Sequence, residues 1–103
     1  MSTIAGQLVT GTRTGTGAIG PFQPPGGLRP FNVFITGTFV GTAEVQKSFD
    51  QGATYTTIQP PDLSAIAAFT APTAFTVIEP DPAVLYQINV TAYTSGTING
   101  RMG

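Results

Sequence analysis

From Phe31 onward, apolar and polar residues alternate with a period of two, the period of a β-strand. Phe31, Val33, Ile35 and Phe39 fall on one face, Asn32, Thr36 and Thr38 on the other. Phe34 and Val40 break the rhythm, which predicts partial cover on both faces. Gly37 inside the run marks a bulge or a close approach, and Gly41 reads as a turn. A second strand is predicted over residues 42–49, with Ala43, Val45 and Phe49 inward and Glu44, Gln46 and Ser48 in water. Lys47 falls on the inward side of that count, so its ammonium is expected to snorkel out at an edge. A third strand covers 54–59 and is ended by Pro60 and Pro61. Leu63 to Ala68 is the one stretch with helical potential, capped by Asp62 or Ser64. Strand signals return over 73–79, with Phe75 and Val77 opposite Thr76 and Ile78. The cleanest strand is 84–93: Val84, Tyr86, Ile88, Val90 and Ala92 against Leu85, Gln87, Asn89, Thr91 and Tyr93. Thr94-Ser95-Gly96 predicts a turn, and a last strand runs over 97–102. Turn signals recurring about every 8–12 residues predict an antiparallel sandwich or a small barrel.

The first 30 residues lack this period. They hold seven Gly and four Pro, and their apolar residues (Ile4, Leu8, Val9, Ile19, Phe22, Leu28) are scattered. Two readings stay open: a disordered leader, or an extended arm that orders against another subunit with Leu8, Val9, Ile19 and Phe22 as anchors. Gly6, Gly11, Gly15 and Gly17 lack the strand, helix and Lys of a phosphate loop.

Composition narrows the function. The chain is 103 residues long, enough for one domain. Hydrophobic residues are 41%, enough for a core, and 17 threonines favour strands. Only 9% of residues are charged, with four basic against five acidic side chains. Arg13, Arg29, Lys47 and Arg101 are too dispersed for a nucleic-acid surface. So low a charge suits either a surface covered by copies or partners, or one kept wet by Thr, Ser, Asn and Gln. There is no His, Cys or Trp, which removes the commonest general base, the thiolate nucleophile and disulfides. No stretch reaches the length of a membrane span or has the apolar core of a signal peptide.

Ser48-Phe49-Asp50-Gln51-Gly52-Ala53-Thr54-Tyr55 resembles the Asp-box, S-x-D-x-G-x-T-W, with Tyr55 in place of Trp. Asp50 is expected to accept backbone N–H bonds across a turn and Gly52 to supply a positive φ. The motif recurs in sialidase propellers, but a propeller needs about four blades or more and this chain is too short. Glu79 with Asp81, or either with Glu44, could form a glycosidase carboxylate pair or bind Ca²⁺. Glu79-Pro80-Asp81-Pro82 instead reads as a strand-ending loop with its acids in water. Tyr86 and Tyr93 read as core and rim packing, and the sequon Asn89-Val90-Thr91 lies mid-strand.

Residues 31–103 resemble a family of small virion proteins of tailed bacteriophages. The likeness rests on four pieces in order. They are Phe31 to Phe39, the Ser48-Phe49-Asp50-Gln51-Gly52 hairpin, Phe69-Thr70-Ala71-Pro72, and the end with Glu79-Pro80, Leu85-Tyr86 and Thr91 to Asn99. Such proteins are capsid cement or decoration proteins, often trimers. The resemblance implies an all-β fold, a single antiparallel β-sandwich, jelly-roll or immunoglobulin-like, at 31–103; residues 1–30 lie outside it and are read as an extended N-terminal arm. It implies a non-enzymatic homotrimer that binds the major capsid protein on the outside of the shell, assembled in the bacterial cytoplasm. Its contacts would lie in the arm (Ile4 to Phe22) and in loops. No catalytic, cofactor-binding or metal residues are assigned, and no nucleic-acid, membrane or small-molecule partner is expected. The alternative is a tail, neck or head-fibre component, or a host-surface (glycan) binding module of the virion.

Overall fold

A computed structural model describes residues 6–27, 29–58, 68–81 and 83–103. Ile4, Leu28, the Pro60-Pro61 break and all but the last residue of the 63–68 helical stretch lie outside the described residues. Nine strands are described: β1 Val9–Arg13, β2 Gly17–Phe22, β3 Pro30–Thr36, β4 Phe39–Ser48, β5 Thr56–Thr57, β6 Ala68–Phe69, β7 Thr73–Ile78, β8 Leu85–Gly96 and β9 Ile98–Met102. They form two antiparallel sheets packed face to face. One has the order β1-β9-β3-β7, the other β2-β8-β4-β5, with β6 also on the outer edge of β4.

The alternation in the sequence does what the period predicts. Phe31, Val33 and Ile35 of β3, Phe75 and Val77 of β7, and Val84, Tyr86, Ile88 and Val90 at and along β8 are buried in one core. The partners on the outer faces are polar. Thr76 bonds Asn32 at 2.9 Å and Thr12 bonds Asn99 at 2.9 Å across one sheet. Across the other, Gln87 bonds Gln46 at 2.9 Å, and Glu44 receives the hydroxyls of Thr57 and Thr91.

The leader differs from the expectation of an arm. Residues 9–22 form β1 and β2, paired with β9 and β8 respectively. Ile19 and Phe22, read as anchors for another subunit, are 4% and 0% exposed in this chain's own core. The division at residue 30 therefore does not separate two bodies among the described residues. Gly11, which looked like part of a flexible linker, has a packing role. Gly11 and Gly100 sit opposite each other on β1 and β9. A Cβ at Gly11 would come within 2.9 Å of Ile19, and one at Gly100 within 2.8 Å of Ile19 and 2.9 Å of Ile88. Only hydrogen on those Cα atoms lets the sheets approach this closely.

At one end the chain crosses between sheets by short corners: 14–16 from β1 to β2, Gly37-Thr38 from β3 to β4, and Thr97 from β8 to β9. Thr97 N–H bonds the Thr38 carbonyl at 2.8 Å and ties two corners together. The turn predicted at Gly41 therefore falls at Gly37-Thr38, so Phe39 starts β4, and Gly41 sits at a register shift inside that strand. The predicted 94–96 turn is likewise still strand. A second shift, between Thr42 and Ala43, lies beside Ala92, which ends up exposed where the alternation placed it inward. At the opposite end the sheets are propped by rings: Phe22 and Phe31 are 4.7 Å apart, Phe31 and Tyr86 5.1 Å.

Candidate functional site

The propped end carries a cleft of about 530 Å³ between the edge strands β5 and β7, lined by Lys47, Phe49, Thr56–Ile58, Val77–Pro80 and Tyr86. Its rim comes from the β4–β5 connection. Ser48 ends β4, and its hydroxyl donates to Asp50 Oδ1 at 2.6 Å while accepting Gly52 N–H at 2.8 Å. Asp50 in turn accepts the N–H of Thr54 at 2.9 Å and the Thr54 hydroxyl. Gln51 and Gly52 take φ of 63° and 92°. The Asp-box-like reading of this turn holds: Asp50 ties the loop and Gly52 permits its shape. The hydroxyls of Ser48 and Thr54, with the Thr54 N–H, hold the Asp50 carboxyl down to about 2. Ser48 is 1% exposed, not in water as the alternation implied, because its hydroxyl has turned into this network. Phe49 lies just past the end of the strand. It is 71% exposed, where the same alternation placed it inward.

The floor is polar. Lys47 keeps the inward direction predicted for it, but its ammonium meets Glu79 Oε1 at 3.0 Å. The Tyr86 hydroxyl donates to the same oxygen at 2.8 Å, and Asp81 N–H reaches Oε2 at 3.3 Å. The expectation that Glu79 lies in water is corrected: it is 8% exposed. β7 ends at Ile78, and the chain turns Glu79 back between the sheets, where Lys47 and Tyr86 wait. Burial alone would raise the Glu79 pKa. The bonds from Tyr86, Lys47 and Asp81 N–H outweigh it and hold the group below its ordinary value. Burial, then the bond and charge of Glu79, push the Tyr86 phenol far above its usual range. The Lys47 ammonium also stands 4.9 Å from the Phe49 ring centre.

The other candidate acids do not join Glu79. Glu44 lies on the outer face of its sheet, bonded to Thr57 and Thr91. Asp81 is exposed and accepts Ala83 N–H at 2.9 Å. Glu44 therefore lies on the outside of its sheet while Glu79 is buried between the sheets, and the two do not face each other. Among the described residues no three His, Cys, Asp or Glu side chains come together as a metal site. Tyr86 is core, and Tyr93 packs at the core's margin, as read.

Sequence reasoning missed the Lys47–Glu79–Tyr86 cluster. The inward parity of Lys47 was its one signal, since a buried Lys requires a partner. That partner lies 32 residues away on the facing sheet, where no local pattern points to it. No family model, curated protein or solved structure matches this chain.

Proposed function

We propose that this chain is a structural protein of a tailed-bacteriophage virion, a capsid cement or decoration protein. It binds the outside of the shell, bridges major capsid subunits and performs no catalysis. The observation that carries the reading is the ordered set of four sequence pieces. They fall on β3 with its corner, on the Ser48–Thr54 turn, on the β6–β7 connection and on the β8–β9 end. A likeness spread over the framework of both sheets suits a protein whose shape is its function.

Within the sandwich class we assign the jelly-roll type. With β5 and β6 taken as one interrupted edge strand, the sheets run first-eighth-third-sixth and second-seventh-fourth-fifth. This order supports the nested Greek keys of jelly rolls, an architecture of viral shells and lectins. It departs from the grouping of an immunoglobulin sandwich. Copies repeated on a symmetric shell, as homotrimers, gain strength from many weak contacts. A nearly uncharged, threonine-rich exterior suits a surface partly covered by neighbours.

The test is sedimentation of the purified protein with shells that lack it. Saturable binding, with a raised temperature of shell disruption, is expected. Failure to bind shells would remove the proposal. The cleft under an exposed aromatic ring favours a second reading, a host-surface glycan-binding module of the virion.

A further inference from the structure

We infer that the cleft between β5 and β7 is a binding site for a neutral saccharide, with Phe49 as its stacking platform and the Lys47–Glu79 pair as its polar floor. This deepens the host-surface reading and is independent of the shell reading.

The first argument is the rim. Residues 48–54 are tied by side-chain bonds from Ser48 and Asp50 to Gly52 and Thr54. The one large side chain within this network, Phe49, adds nothing to the core and is 71% exposed. A preorganised loop that holds a bare ring in water loses little entropy when the ring is covered. The opposite rim is Ile78, 58% exposed, so the mouth is apolar on both sides.

The second argument is the floor. A partly buried ion pair is a weak source of stability, since desolvation offsets most of its attraction. Here the Lys47 and Glu79 side chains keep 29% and 10% of their surface exposed. The ammonium has three donors, and the bond to Glu79 uses one. Among the described residues, Glu79 Oε2 accepts one bond, a long one of 3.3 Å from Asp81 N–H. The cleft therefore offers spare donors on Lys47 beside a weakly used acceptor on Glu79, with charges that cancel. A singly charged ligand is attracted by one member of such a pair and repelled by the other. A trans peptide unit points its N–H and its C=O to opposite sides. Neighbouring sugar hydroxyls both donate and accept, so one ring edge satisfies both groups. The face of C–H bonds on the same ring fits the Phe49 platform. Thr56 faces Lys47 across the β4–β5 ladder, on the same side of the sheet, and adds a hydroxyl. The volume, about 530 Å³, is that of a small-ligand pocket.

The probes are neutral tetrasaccharides of glucose, galactose, mannose and N-acetylglucosamine, titrated to millimolar concentration into the ¹⁵N-labelled full chain. At least one is expected to give saturable amide shifts centred on residues 47–57 and 77–80. Phe49→Ala, at an exposed position, keeps the fold by circular dichroism and weakens binding about tenfold or more. Val40→Ala, at another exposed apolar site, leaves it unchanged. No saturable shift with any of the four sugars overturns the inference. So does binding that is indifferent to Phe49→Ala, or saturation of the cleft by an uncharged extended peptide but not by the sugars. Because the experiment needs no particle, its failure leaves the shell reading standing.

Discussion

The two ends of the sandwich are built differently from the same two sheets. The cornered end is closed by short crossings at 14–16, Gly37-Thr38 and Thr97, and Gly11 and Gly100 let Ile19 and Ile88 pack close against β1 and β9. At the propped end the space between the sheets is filled by Phe22, Phe31 and Tyr86, then by the Lys47–Glu79 pair. The first arrangement is specified by small residues, the second by large and polar ones. The cleft and its charges lie at the propped end.

The largest expected effect addresses the N-terminal strands β1 and β2, one in each sheet. Deleting residues 1–22 removes β1 and β2 and uncovers β9 and β8, so the remainder is expected to lose its cooperative unfolding transition in urea. The single change Phe22→Ala, at a site 0% exposed, is expected to cost about 3–5 kcal/mol in the same measurement. A stable, cooperative 23–103 fragment would restore the picture of a detachable arm.

Next comes the glycine contact between the sheets. Gly100→Val sets methyl groups where a lone Cβ would already approach Ile19 at 2.8 Å, and both neighbouring isoleucines are buried. A loss of about 1–3 kcal/mol is expected from overpacking. Valine at the exposed position Thr12 of β1 is expected to be neutral by comparison.

The propped end should yield less per substitution, because solvent reaches it. Lys47→Met strands the Glu79 carboxylate with Tyr86 as its one side-chain partner. After allowance for the exposure of Lys47, the cost is about 1–2 kcal/mol at neutral pH. The folded state holds the Glu79 pKa below its ordinary 4.5, so the group stabilises the fold above that pH. This contribution disappears as pH falls below about 4.5 through the folded value. Glu79→Gln should flatten this limb of a stability-against-pH curve.

The smallest effect belongs to the rim. Asp50 has its pKa lowered from 3.8 to about 2. Its contribution is present above pH 3.8 and is lost as pH falls toward 2. Asp50→Asn should lower neutral-pH stability slightly and flatten the acid limb between pH 3.8 and about 2.

The same contrast explains what could be read from the chain. β3, β7 and β8 were legible because one face of each is buried and the other solvated, so burial writes itself as a period of two. The 48–55 turn was legible because its bonds are local. The two strands within 9–22 were not, because their inward positions include a glycine, Gly11. A glycine chosen for close sheet approach is indistinguishable, in one sequence, from a glycine chosen for flexibility. The corners at Gly37 and Thr97 escaped for a related reason: strands that bend from one sheet into the other keep their alternation through the bend. The Lys47–Glu79 contact joins two sheets, and only the fold brings those residues together.

The claim that bears most weight is that this sandwich serves as a repeated piece of a virion shell. Symmetry-averaged electron cryo-microscopy of purified particles addresses it directly. The account predicts density the size of this body, 37 × 33 × 22 Å, recurring over the outer surface at seams between capsid subunits. Density at the tail vertex alone, or particles that lack the chain altogether, would contradict it.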